Sequence, residues 1–266
     1  NAYAYKHLAN YVFEVDAEGY RRVTVQRVSG IADGRYYLGQ YSNEFRDYLC
    51  PALAANKTLA TPTCDARVLP MSQAKTICKK GSWEPPCFSY DASQKSWQIT
   101  LSNANGTQGI AQGVMWFEGS LHVGNGQYQN TFIATRNIST SANTETYAPN
   151  FAGYEAGSYV VSANKTYTFL GVCINSHFPN LYPKQFCEKE AGGRVSKEQF
   201  RSDVDGGLGN FAFLAGSQQS DHYLGGDITL AASNQVFGSV WAGNLYGNSG
   251  STNIYGYITA QALGSV

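Results

Sequence analysis

Residues 113–153 alternate apolar and polar side chains in bursts too short for helices. The runs 114–117 (VMWF), 121–123 (LHV), 131–135 (TFIAT) and 137–140 (NIST) each have strand length, and Gly, Asn or Ser interrupts them. Residues 226–263 have the same texture. Set side by side, 117–125 (FEGSLHVGN) and 236–244 (VFGSVWAGN) share Gly, Ser, Gly and Asn at four of nine positions, and their apolar positions agree. A recurring strand–Gly–strand unit predicts stacked short strands, closed either as a β-solenoid or as a small β-sandwich. Both use the same alternation, so periodicity leaves that choice open.

Around these stretches the chain reads as mainly β with little helix. Residues 1–16 combine a short helical stripe (Tyr5, Leu8, Ala9, Val12) with a strand over 12–15. Residues 20–28 and 35–41 alternate as strands between turns at 17–19 and 29–34. Residues 45–96 hold Pro51, Pro62, Pro70, Pro85, Pro86 and four cysteines but little periodicity, which predicts an irregular, disulfide-pinned excursion. Strands are expected again at 96–101, 159–160 and 167–172. A second excursion, 173–210, carries Cys173, Cys187 and a helix over 195–201 with Ser196 as its N-cap. Strands return at 211–214. The expected organisation is an N-terminal strand region (1–44), a Cys/Pro-rich excursion (45–96), a β-rich core (97–172), a second disulfide excursion (173–210) and a C-terminal β region (211–266). The last packs with 97–172, and all of them fit within one domain.

Composition sharpens the picture. Only 14% of the 266 residues are charged, against roughly 25% in an average soluble domain. Polarity comes instead from Asn, Ser, Thr, Gln, 28 Gly and 19 Tyr, which suits an extracellular β protein. Lys+Arg and Asp+Glu are both 19, so electrostatics provide no reason to expect a nucleic acid or an anionic membrane as partner. Six cysteines without a Cys-x-x-Cys argue for disulfides rather than zinc, and hence for an oxidising compartment such as the cell exterior. Proximity along the chain favours Cys50–Cys64, Cys78–Cys87 and Cys173–Cys187. A loop of about 15 residues closed in this way contributes roughly 3 kcal/mol in the chain-entropy model. No apolar run approaches the ~18 residues of a membrane helix, and no signal peptide is visible. The start at Asn1 leads us to expect a mature form or a piece released from behind an N-terminal segment.

Candidate chemistry is sparse. His7, His122, His177 and His222 form no local metal motif, although two of them brought together could serve a ligand carrier, for example for haem. Asp203 and Asp205 lie on a Gly-rich loop, 203–210, with oxygen donors that suit calcium; an Asp/Gly turn is the plainer reading. No G-x-S-x-G elbow, phosphate loop or paired carboxylates announce a catalyst. Aromatic residues are the richest resource. Trp116, Tyr128, Tyr147, Tyr154, Trp241, Tyr246, Tyr255 and Tyr257 lie in or beside Gly/Asn-rich turns, where rings next to amides suit sugar faces or protein interfaces. The first seven are the candidate contacts to a ligand or partner. N-x-[ST] sequons occur at Asn56, Asn105, Asn137 and Asn164.

Residues 113–121 (GVMWFEGSL), 132–138 (FIATRNI) and 147–150 (YAPN) resemble the β-solenoid rungs of large minor pilins of type IV pili. Residues 20–39 are similar to the strand pair that follows the N-terminal helix in such pilins. The hydrophobic anchoring helix of that family is not among these residues. The resemblance covers about a third of the chain and implies a surface-exposed, pilus-associated subunit or adhesin, with other protein subunits or a surface glycan as partner. It carries no catalytic residue. The alternatives are a secreted ligand carrier and an extracellular polysaccharide-active or carbohydrate-binding protein.

Overall fold

A computed structural model describes the chain except for Asn43, Ser82, Trp83, residues 102–106, Glu190, Ser265 and Val266, and the side chain of Asp205. The sequon at Asn105 therefore lies outside the described residues.

The short strands stack as a parallel β-solenoid, not a sandwich. Each rung turns through three faces. The first rung is Gly113–Phe117, Ser120–Val123 and Gly126–Tyr128; the second is Asn130–Ala134, Ile138–Thr140 and Thr144–Tyr147. Residues 148–210 leave the solenoid. The third rung resumes with Phe211–Ala215, Ile228–Leu230 and Gln235–Phe237, and the fourth is Ser239–Ala242, Tyr246–Asn248 and Asn253–Tyr255. Ile258–Ala260 adds one further strand to the first face. Corresponding strands pair in parallel from rung to rung on all three faces.

Inward positions interdigitate by size. On the first face Met115, Phe132, Phe213 and Val240 form a large column, and Phe117, Ala134, Ala215 and Ala242 a smaller one beside it. The second face contributes Leu121, Ile138 and Ile228, and the third Tyr128, Thr146 and Val236. Alternation of large and small side chains lets a narrow triangular interior fill without voids.

The two similar nonapeptides do not stack on each other. Phe117 ends a first-face strand, and Gly119 turns the chain onto the second face. Phe237 ends a third-face strand, and Gly238 turns it onto the first. What repeats is corner chemistry. Gly119 (φ +117°) and Gly238 (φ +146°) adopt backbone open to glycine, and a Cβ on Gly119 would lie 2.2 Å from the Lys95 carbonyl oxygen.

The N-terminal half caps one end. Tyr11–Val15 pairs in parallel with Gly113–Phe117, and Arg21–Val25, Gly34–Tyr41 and Glu44–Cys50 extend that sheet antiparallel. The hairpin Phe88–Asp91 and Ser96–Ile99 adds to the second face. The expected irregular excursion over 45–96 thus holds only for its middle: both ends are strands, because their apolar sides (Leu49, Phe88, Trp97, Ile99) complete the same core as Phe13 and Phe117. Phe13 stacks on Phe117 at 4.4 Å and meets Phe88 at 4.7 Å. The expected helix over 195–201 shrinks to the 3-10 turn Lys197–Gln199, and residues 1–8 form a 3-10 helix, Ala2–Leu8. All three disulfides are as favoured from chain proximity: Cys50–Cys64, Cys78–Cys87 and Cys173–Cys187, with Cα separations of 5.5, 5.7 and 5.5 Å.

Candidate functional site

The outer side of the third face carries the most suggestive constellation. Two columns of side chains run along the solenoid axis there. One is polar: Gln127, Glu145, Gln235 and Asn253 stand in register across the four rungs. The other, two residues further along in the second, third and fourth rungs, is aromatic: Tyr147, Phe237 and Tyr255. Their rings stack at 4.6 and 4.5 Å. Both columns follow from a period of two, which sends residues i and i+2 to the same side.

The hairpin Gly157–Ser162 and Lys165–Phe169 arches over the aromatic column. Tyr159 stacks on Phe237 at 4.9 Å, and its hydroxyl donates to the Phe151 carbonyl at 2.6 Å. The strand Lys165–Phe169 runs along the axis. Thr168 accepts a hydrogen bond from Gln127 of the first rung (2.6 Å), Phe169 packs on Tyr147 of the second (5.0 Å) and Tyr167 meets Phe237 of the third (5.7 Å). Lys165 lines a cleft together with Ser251 and Asn253 of the fourth.

A groove remains between this strand and the corner of the second and third faces. Its larger part, about 700 Å³, is lined by Asn125, Gln127, Asn143, Glu145, Thr168 and Phe169, with Gln108 and His177 at one end. A smaller part of about 270 Å³ continues past Tyr167, Ser233, Gln235, Ser251 and Asn253. Asn143 and Glu145 line both. At the corner, Asn143 and Ser233 hold φ of 58° and 62°, a conformation that short polar side chains tolerate.

The polar column is pre-ordered. Gln127 Nε2 donates to Glu145 Oε2 at 3.1 Å, and Asn253 Nδ2 donates to Gln235 Oε1 at 3.3 Å. The Tyr147 hydroxyl also donates to Glu145 Oε2, at 3.2 Å. Burial, reinforced by the Glu145 carboxylate, pushes the Tyr147 phenol far above its ordinary range, so it stays a neutral donor. Glu145 is the one carboxylate among the described groove-lining residues. The arrangement offers amide donors and acceptors and a charged acceptor; the rings beside them are sealed by the hairpin, with Tyr147 fully buried and Tyr167 and Phe169 each 9% exposed.

The expected contact residues scatter. Tyr147 and Tyr255 belong to the aromatic column. Trp116 does not reach a surface: it is fully buried on the outer side of the first face, where its indole N–H donates to the Ala2 carbonyl at 2.9 Å. Tyr128 points into the solenoid, its hydroxyl bonded to the Gly124 carbonyl at 2.8 Å. Both corrections have one cause: a ring beside a Gly-rich turn is still set inward or outward by strand register. Tyr154 lies under Arg194 (5.9 Å), Trp241 against Phe211 (5.7 Å), and Tyr246 on the interior at the fourth rung. Gln127, Glu145, Gln235 and Asn253 were not singled out from the sequence. For Glu145, Gln235 and Asn253 the signal is a polar–x–aromatic triplet at 145–147 (ETY), 235–237 (QVF) and 253–255 (NIY); Gln127, in 127–129 (QYQ), lacks it.

The histidines are not gathered in one cavity. His7, His122 and His177 line three different ones, and His222 is exposed beside Asp221 on a separate hairpin, Ser217–Gln219 and His222–Leu224. His122 is held on the second face by Ser139 (2.9 Å) and Ser141 (3.0 Å). Asp203 is exposed at the start of the 3-10 helix Val204–Asn210, and the side chain of its expected calcium partner Asp205 lies outside the described residues. Among the described residues, Asp47, Cys78 and Cys87 bring donor atoms within 4.8 Å. That cluster is structural, since the two cysteines are joined to each other and Asp47 is bound by Arg21 at 3.0 Å and the Phe88 N–H at 2.8 Å.

Searches against protein-family models, curated proteins and solved structures return no match.

Proposed function

We propose that this is an extracellular or cell-surface binding protein that holds a glycan in the groove of the third face. The observation that carries the reading is the in-register column Gln127, Glu145, Gln235 and Asn253 beside the aromatic hairpin. Amides and one carboxylate at regular spacing match the paired donors and acceptors of sugar hydroxyls. Three disulfides fit an oxidising compartment, and no helix among the described residues is long and apolar enough to cross a membrane.

A glycan array tests this directly. The wild-type chain and a Thr229→Ala variant on the second face should retain the same glycans. Gln127→Ala combined with Gln235→Ala should lose them while the chain stays folded, as its far-ultraviolet circular dichroism can check. Retention by the double variant, or an array blank for every protein, refutes the proposal.

A second reading, a subunit of a fibre as the pilin resemblance implies, is favoured by the fourth-rung end. Leu245, Tyr257, Ile258 and Leu263 are 59, 83, 48 and 53% exposed there. Exposed apolar side chains beside strand edges suit contact with another protein. Light scattering and electron microscopy separate this reading from a monomeric binder.

A further inference from the structure

The direction and spacing of the groove say more than its polarity. Its floor is a straight column with one side chain per rung, and rungs are ~4.8 Å apart, so four rungs span ~14 Å. Its wall, the strand Lys165–Phe169, runs the same way, from the fourth rung toward the first. A ligand that follows both must be straight and must lie along the axis. A pyranose linked through equatorial bonds at both ends advances by nearly one rung spacing, and its chain forms a flat ribbon. A chain with axial linkages coils and leaves a straight column after one or two residues.

Charge narrows the class further. Glu145 sits where the two parts of the groove meet, half-buried, its Oε2 already accepting from Gln127 and Tyr147. A sugar carboxylate placed on the second rung would face it, a like-charge contact in a partly desolvated site. Neutral hydroxyls can donate to its remaining lone pairs. At the corner, Asn125, Asn143, Ser233 and Ser251 form a second polar row beside the column, so each sugar can be met from two sides.

Building on the glycan reading above, we infer that the ligand is a neutral, equatorially linked linear polysaccharide, laid parallel to the solenoid axis with one sugar per rung and about four subsites.

Calorimetry with two oligosaccharide series of one to six units tests this. One is β-1,4-linked glucose or N-acetylglucosamine; the other is α-1,4-linked glucose. In the β series each added unit up to the fourth should raise affinity a few-fold to about tenfold, the worth of a net hydrogen bond or two, and the fifth and sixth should add little. The α series should stop gaining after the second unit. Asn253→Ala, at one end, should move the plateau from four units to three without changing the melting temperature. Affinity independent of length, a preference for the α series, or a plateau unmoved by Asn253→Ala overturns the inference. If neither series binds while the array shows another glycan, the inference fails and the glycan reading stands. If no glycan binds by either method, both fail.

Discussion

The first and third faces of the solenoid share their rungs, their parallel register and their inward packing, yet their outer sides have opposite fates. On the first face the outward side chains Val114, Trp116, Ile133 and Leu214 are buried under the 3-10 helix Ala2–Leu8 and the segment that leaves the solenoid after the second rung. That sheet is covered on both sides, and its strands Gly113–Phe117 and Asn130–Ala134 are buried at every position, as parallel strands between two layers should be. On the third face the outward aromatic column is covered by a single hairpin, and the polar column runs along its edge: Gln127 bonds to the hairpin at Thr168, Gln235 is buried, Glu145 is half-buried and Asn253 is exposed. One backbone thus serves as structural partition on one side and as display on another. The outward residues make the difference: apolar ones are sealed under a cover, and the amides border its edge.

Breaking the covered face should have the largest effect. Trp116→Ala removes a fully buried indole and its hydrogen bond to Ala2, and should cost about 3–5 kcal/mol of stability, read as a lower urea midpoint. A loss below 1 kcal/mol would mean that the cover is not packed as described. The staple in the cover comes next. Replacing Cys173 and Cys187 by Ser opens a loop with a separation of 14 residues, which in the chain-entropy model costs about 3 kcal/mol. The same pair of substitutions should leave the glycan length profile unchanged.

The hairpin sharpens the contrast from the other side. Tyr159→Ala removes ring contacts at 4.9 Å to Phe237 and 5.1 Å to Phe169. It should cost about 1–2 kcal/mol. Amide exchange should speed up in Gly157–Ser162 and Lys165–Phe169 while the interior strands stay protected. Uniform acceleration across all rungs would show that hairpin and solenoid open together. The smallest effect belongs to the second face. Burial lowers the His122 pKa, so the folded chain resists the proton that the unfolded chain accepts. Stability should therefore fall as pH drops below about 6.5. His122→Gln should flatten that part of the slope, as urea midpoints at neutral and mildly acidic pH can measure. An unchanged slope would assign the acid sensitivity to other groups.

Much of the architecture is written locally. Short alternating runs broken by Gly, Asn and Ser specify strands and corners, because strand period and positive φ are properties of a few consecutive residues. The disulfides pair within hairpin-length distances, so neighbours along the chain could be matched. Those three disulfides point to an oxidising compartment. Alternation says that two residues face opposite ways; it does not say which way is covered. Trp116 and Tyr128 look alike in their turns, and both are sealed by contacts from residues or rungs elsewhere. The nonapeptide repeat marks two corners of different kinds, since a corner's demand for glycine is the same whichever faces it joins. The groove joins residues 127, 145, 235 and 253 with a hairpin at 165–169, and 63 residues that leave the solenoid (148–210) separate its second and third rungs. Register across those separations is set by burial of the shared interior, a free energy that belongs to the assembled rungs and to no single stretch of the chain.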